Sequence, residues 1–186
     1  MIVILSGVSG AGKDTIKRIL MGKDGRIKTL PSYTTRDKRI NEVEGENYYY
    51  VSKEKFKEMI DNNEFYEYSV HHGNYYGTNK KLLNERIKNN IVLKDIDVNG
   101  TEDLLKIFRG TEINIISIFL NISKEEMLRR LENRDDKLKQ EEIELRMNRY
   151  DYEMNHIGIY DYVIKNYDAE KTSNIILDII KREQEQ

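Results

Sequence analysis

The chain has 186 residues, with 31 basic against 33 acidic side chains, a formal net charge of -2 and no cysteine. Such a balance excludes a global field favouring nucleic acid or membrane, so an anion site has to be local, and the missing cysteines exclude disulfides and thiolate metal centres. The apolar run at residues 2–5 is far short of a membrane span and lacks the basic flank of a signal peptide, so the expectation is a cytoplasmic protein in a reducing compartment.

One compact domain suits this length, and a single proline with no Gly/Ser-rich stretch argues against a flexible linker. Short apolar runs alternate with amphipathic segments, which predicts an α/β fold on a parallel sheet. The first run, residues 2–5, reads as a strand and leads into "SGVSGAGKDT". Gly7, Gly12, Lys13 and Thr15 match a phosphate loop, except that Asp14 stands where a hydroxyl residue often follows the lysine. Glycines let main-chain N–H groups turn inward around a phosphate, and Lys13 supplies a mobile positive charge. The flanking strand and helix favour this over an ordinary tight turn. Thr15 is the better candidate for a hydroxyl near a metal, and Asp14 fits only if it turns outward or holds the cation through water.

Ile16, Ile19 and Leu20 recur at helical spacing after Lys13. A strand is expected at residues 27–30. Residues 33 to about 88 then break the alternation: the tyrosine-rich "NYYYVS" and "EFYEYSVHHGNYYGT", with the turn dipeptide Gly73-Asn74, look like antiparallel strands around a helix at residues 53–62. This stretch reads as a small insertion on the main sheet. It carries Ser32, Arg36, Arg39, Tyr48, Glu67, Tyr76 and Thr78. Two arginines and two tyrosine hydroxyls suit a phosphate monoester, and a carboxylate accepts from both N1–H and the 2-amino group of guanine while adenine repels it.

At the end of a strand expected at residues 91–96, Asp95 and Asp97 share one face, where they hold magnesium water or substrate or else cap the next helix; Lys94 interrupts the run without an evident role. After a strand at residues 113–120, Ser123 and Glu126 form a capping-box signature for a helix with Met127, Leu128 and Leu131. Arg130 and Arg134 lie four apart, and Arg146 and Arg149 three apart, so each pair shares a helical face. Alone these are solvated faces; beside a phosphate loop they suit the charge that spreads over a moving phosphoryl group. A strand at residues 162–164 and a helix burying Ile175, Ile176, Ile179 and Ile180 close the chain. The three histidines, His71, His72 and His156, lack zinc-site spacing, and no structural metal is expected.

The ordered string "GVSGAGK", "SYTTRDKR", "GENYYYVS", "NEFYEY", "GNYYGT", "DIDVNG" and "YDYVIKN" resembles the guanylate kinases over nearly the whole length. The resemblance implies a three-layer P-loop fold with a parallel core sheet (residues 1–32, 89–125 and 157–186), an inserted α+β lobe for GMP (33–88) and a helical lid (126–156). It implies an ATP:GMP phosphotransferase using Mg2+, with ATP and GMP as partners and neither nucleic acid nor membrane; a monomer and a homodimer fit equally. Carried across by position, ATP falls on Gly7, Val8, Ser9, Gly10, Ala11, Gly12, Lys13, Asp14, Thr15 and Asn166. GMP phosphate falls on Arg36, Arg39, Tyr48 and Tyr76, and the base on Ser32, Glu67, Thr78 and Asp97. Catalytic charge falls on Lys13, Arg130, Arg134 and Arg146, and the metal on Thr15 and Asp95 through water. Rival readings are a P-loop kinase for another nucleotide or a sugar bisphosphate, and a non-catalytic interaction module of the same family.

Overall fold

A computed structural model describes residues 1–40, 42–71, 73–132 and 140–185, with backbone alone for residues 140–142. The elements are, in chain order, β1 (Ile2–Gly7), α1 (Lys13–Lys23), β2 (Ile27–Thr29), β3 (Ser32–Thr34), β4 (Tyr48–Tyr50), α2 (Lys53–Asp61), β5 (Phe65–His71), β6 (Asn74–Asn79), α3 (Lys80–Arg86), β7 (Ile91–Asp95), α4 (Val98–Phe108), β8 (Ile115–Asn121), α5 (Lys124–Glu132), α6 (Gln140–Asn155), β9 (Tyr162–Lys165) and α7 (Ala169–Gln184).

The main sheet runs β2-β7-β1-β8-β9 with every neighbouring pair parallel. Strand β1 is buried along its whole length. Side chains alternate, so Val3 and Leu5 join one core cluster with Ile16 and Leu20 of α1 and Ile176 and Ile179 of α7. Ile2 and Ile4 join the opposite cluster with Leu83 of α3 and Leu104, Leu105 and Phe108 of α4. A sheet apolar on both faces needs a helical layer on each, which gives the expected three-layer α/β architecture. The same packing sets the site. The helix after β1 covers one face and the helix after β7 covers the other, so a crevice opens between the carboxyl ends of these two adjacent strands.

A second sheet, β4-β3-β6-β5, overhangs that crevice. The β5–β6 hairpin is antiparallel as expected, but β3 and β4 pair in parallel, Ser32 opposite Tyr48, because the chain returns through residues 35–47 before pairing. Helix α2, capped by Ser52 accepting from the Lys55 N–H at 3.1 Å, seals this lobe with Phe56 stacked on Phe65 at 4.5 Å. The lobe thus has a small core of its own, with Phe56, Met59 and Phe65 buried.

One local expectation is corrected and another is met in half. Ile175 is 48% exposed, while Thr172 and Ser173 are buried. The inward stripe of α7 runs Thr172, Ser173, Ile176, Ile179, Ile180, and Ile175 lies about 100° off that stripe. At α5, Ser123 Oγ accepts from the Glu126 N–H at 3.2 Å, and the Glu126 carboxylate goes to Arg129 and Arg130. Among the described residues no helix is long and apolar enough to cross a membrane.

Candidate functional site

The loop between β1 and α1 is pinned into the core by Val8 and Ala11, both fully buried. Gly12 caps α1 at φ +89°, a conformation that favours glycine, and a Cβ there would lie 2.8 Å from Asn166 Nδ2. The first turn of a helix leaves N–H groups without intrahelical acceptors, so the start of α1 suits an anion. Lys13 Nζ donates to the Gly7 carbonyl at 2.8 Å, which folds the ammonium back along the loop.

Other expected residues brace this loop from behind. Asn166, 3% exposed, donates from its amide to Ala11 O at 2.6 Å. Arg130 donates to Gly10 O at 3.2 Å and Asn166 O at 2.9 Å while its Nε holds Glu126 at 2.6 Å. Neither residue lines the cleft. Arg146 does, and its guanidinium donates to Ser9 Oγ at 3.0 Å. Arg134 lies outside the described residues.

The cleft between loop and lobe has a volume of about 610 Å³. Asp95 enters it from the end of β7, bridged by Lys17 Nζ (2.9 Å) to Asp14 (2.7 Å). Burial works against the Lys17 ammonium, but the two carboxylates outweigh it and raise its pKa well above the usual lysine value. Asp14 lines the cleft, whereas Thr15 is exposed on α1 and lies outside the lining.

Asp97 takes the capping role its sequence position allows, and its second oxygen pairs with two side chains from other elements. Its Oδ1 accepts from the Gly100 N–H at 3.0 Å and caps α4, while Oδ2 takes His71 Nε2 at 2.8 Å and Arg149 Nη2 at 3.1 Å. His71 was not among the candidates. The signal was period two on β5, which sends Glu67, Ser69 and His71 to the same cleft-facing side.

In the lobe, Arg36 holds Glu42 at 2.6 Å and lies over the Tyr48 ring at 5.2 Å. Glu42 also accepts from Tyr50 Oη and from the Arg39 N–H, each at 2.9 Å. Burial pushes the Glu42 carboxyl up, yet these hydrogen bonds and the Arg36 charge prevail and hold it at about 2. Tyr48 meets Tyr76 edge-on at 5.9 Å, and the exposed Arg39 lines the cleft beside them.

Glu67 sits deeper, 7% exposed, and accepts a hydrogen bond from the fully buried Thr78 hydroxyl, which stands behind it and outside the cleft lining. Burial raises the Glu67 carboxyl, opposed by Lys94 and Thr78. Helix α4 approaches closely enough that a Cβ on Gly100 would lie 3.2 Å from Glu67 Oε2. Lys94, 1% exposed, donates to Ser32 Oγ at 2.5 Å; burial lowers its pKa to about 8 against the pull of Glu67 and Asp95.

One cleft therefore carries an anion seat with a lysine at one end, and at the other two arginines, two tyrosines and a sunken carboxylate. That arrangement suits two phosphorylated ligands set face to face, one of them bearing a ring with hydrogen-bond donors.

The family model for guanylate kinase matches residues 1–183. The chain is 39% identical over 182 residues to a guanylate kinase of Prochlorococcus marinus subsp. pastoris, covering 97% of this chain and 96% of that one. Among solved structures, guanylate kinase from Anaplasma phagocytophilum aligns with 100% of this chain and 87% of its own, with a TM-score of 0.79 and 31% identity. Shikimate kinase from Acinetobacter baumannii, 15% identical, covers 100% of this chain and 95% of its own at a TM-score of 0.53, which is a likeness of fold alone.

Proposed function

Because the chain belongs to the guanylate kinase family, we propose that it transfers the γ-phosphoryl group of ATP to GMP or dGMP, giving ADP and GDP or dGDP. The observation that carries this reading is the single cleft with Lys13 and the loop amides at one end and Arg36, Arg39, Tyr48, Tyr76 and Glu67 at the other.

On this reading the loop amides hold the ATP phosphates, and Lys13 leaves the Gly7 carbonyl to follow the γ-phosphoryl group. Arg36 and Arg39 clamp the GMP phosphate with Tyr48 and Tyr76, and Arg36 exchanges Glu42 for it. Glu67 accepts from guanine N1–H and the 2-amino group, and Thr78 positions that carboxylate from behind. Arg146 neutralises charge on the moving group. Arg130 and Asn166 act by keeping the loop in shape. Residues 33–88 act as the GMP lobe and 126–156 as a lid whose closure excludes water.

Asp95 and Asp14 are hard oxygen donors of the kind Mg2+ takes, and among the described residues no three histidine, aspartate or glutamate side chains converge into a metal cage. Two such donors fit a cation that arrives on the ATP phosphates and keeps most of its water, and these carboxylates, rather than the exposed Thr15, would hold it through that water. Bound there, Mg2+ supplies charge neutralisation at the β- and γ-phosphates. A cytoplasmic setting belongs to the same proposal.

The test is ADP release over GMP, dGMP, AMP, CMP, UMP and a ribose bisphosphate. Turnover confined to the guanine nucleotides is expected. Equal rates on GMP and AMP would overturn the base pocket, and saturable binding without turnover would move the chain to the interaction modules of its family.

A further inference from the structure

Lys94 interrupts the apolar run of β7 and is almost completely buried, at 1% exposure. Its ammonium donates to Ser32 Oγ at 2.5 Å and to Leu30 O at 3.3 Å, and its charge acts on the carboxylate of Glu67. An ammonium has three donors and no acceptor, so in this contact Ser32 Oγ must accept. The proton of that hydroxyl is thereby turned away from Lys94. Ser32 and Glu67 both line the cleft, while Lys94 stands behind them. The base end of the cleft therefore has a fixed polarity, a hydroxyl donor at Ser32 and a charged acceptor at Glu67.

We propose that Lys94 is a specificity-determining positioning residue, which sets this donor and acceptor polarity without touching the nucleotide. The inference rests on the GMP reading above. Guanine offers an acceptor at O6 and donors at N1 and the 2-amino group, which complement that polarity. Adenine offers a donor at the 6-amino group and an acceptor at N1, the reverse at both positions, so it meets donor against donor and acceptor against acceptor. With an apolar residue at 94, the Ser32 hydroxyl rotates freely to suit either base and Glu67 loses its buried counter-charge. The discrimination then shrinks from both sides.

The test compares the unmodified enzyme with Lys94→Met on GMP, IMP and AMP, with ATP as donor. The kcat/KM for GMP and IMP falls about tenfold or more, through KM, as expected when a charged hydrogen-bond partner is lost. The AMP rate does not fall with them, and kcat on GMP and KM for ATP stay within about threefold. A parallel fall on all three nucleotides, or an unchanged ratio of GMP to AMP, overturns the proposal, because a merely structural lysine would act on every substrate alike. Should Lys94→Met fail to fold, Lys94→Gln, which keeps a donor but no charge, is read in the same way, with a smaller drop in the ratio expected and an unchanged ratio overturning it. If the unmodified protein phosphorylates none of the three, the kinase reading fails by itself. Calorimetric titration of GMP and AMP into both proteins then gives the same ratio and decides the role of Lys94.

Discussion

The two cationic ends of the cleft are held in different ways. At the loop, Lys13 rests on a main-chain carbonyl, and Arg130 and Asn166 fix the backbone around it. In the lobe, Arg36 rests on a side-chain carboxylate, Glu42, through a single Nη2–Oε1 contact, and an anionic oxygen of a phosphate can replace that carboxylate oxygen. The first end is built from backbone and stands ready for an anion. The second is closed by an internal anion that has to yield. On the proposed function, a donor phosphate would meet a preformed seat, whereas an acceptor phosphate would compete with part of the protein.

The sharpest way to break this comparison is at Lys13. Lys13→Met is expected to lower kcat by about 10²- to 10³-fold while KM for GMP moves less than about threefold, as steady-state kinetics in both substrates will show. Near-normal turnover would remove the loop end from the chemistry. At the other end, Arg36→Met should raise KM for GMP by about 10- to 100-fold, the worth of a charge-assisted hydrogen bond, with KM for ATP unchanged. If the ATP constant rose equally, the two ends would not be separate.

The smallest effect concerns the internal anion. The Glu42 carboxyl lies at about 2 in the folded chain against an ordinary 4.5, so its ionised form is the one the fold prefers. Its contribution to stability is therefore complete above about pH 4.5 and is lost as pH falls toward about 2. Urea midpoints of the unmodified protein and Glu42→Gln should differ at pH 7, and the gap should close on the acid side. A gap that is constant down to pH 2.5 would mean that Arg36 does not hold this carboxylate.

Much of the fold was legible locally. The run at residues 2–5 and the glycines after it announce a buried strand, a turn and a helix in succession, and the structure contains all three. Ile175 was misread because a run of isoleucines hides which of them face inward, and only the docking of α7 on the sheet distinguishes them. His71 was passed over because metal spacing was sought along the chain, while its partner Asp97 lies across the cleft on another element. Thr78 and Asn166, grouped with ligand contacts in the sequence, also hydrogen-bond Glu67 and the Ala11 carbonyl, pairings that no local pattern shows. Lys94 looked anomalous in an apolar strand, and its reason is a hydroxyl far away in the sequence.

Periodicity, glycine conformation and the strand-loop-helix order are properties of consecutive residues, so the α/β class, the phosphate loop and the family likeness could be read from the chain alone. Which residues face the cleft, and which stand behind those that do, depends on where α1 and α4 leave the sheet and how the second sheet folds over the crevice. Those are pairings between distant segments, chosen by burial of apolar faces and by the need of every buried charge to find a partner. No local pattern encodes them, and they alone decide that Arg130 braces the loop, Arg146 reaches the cleft and Lys94 stands behind Ser32.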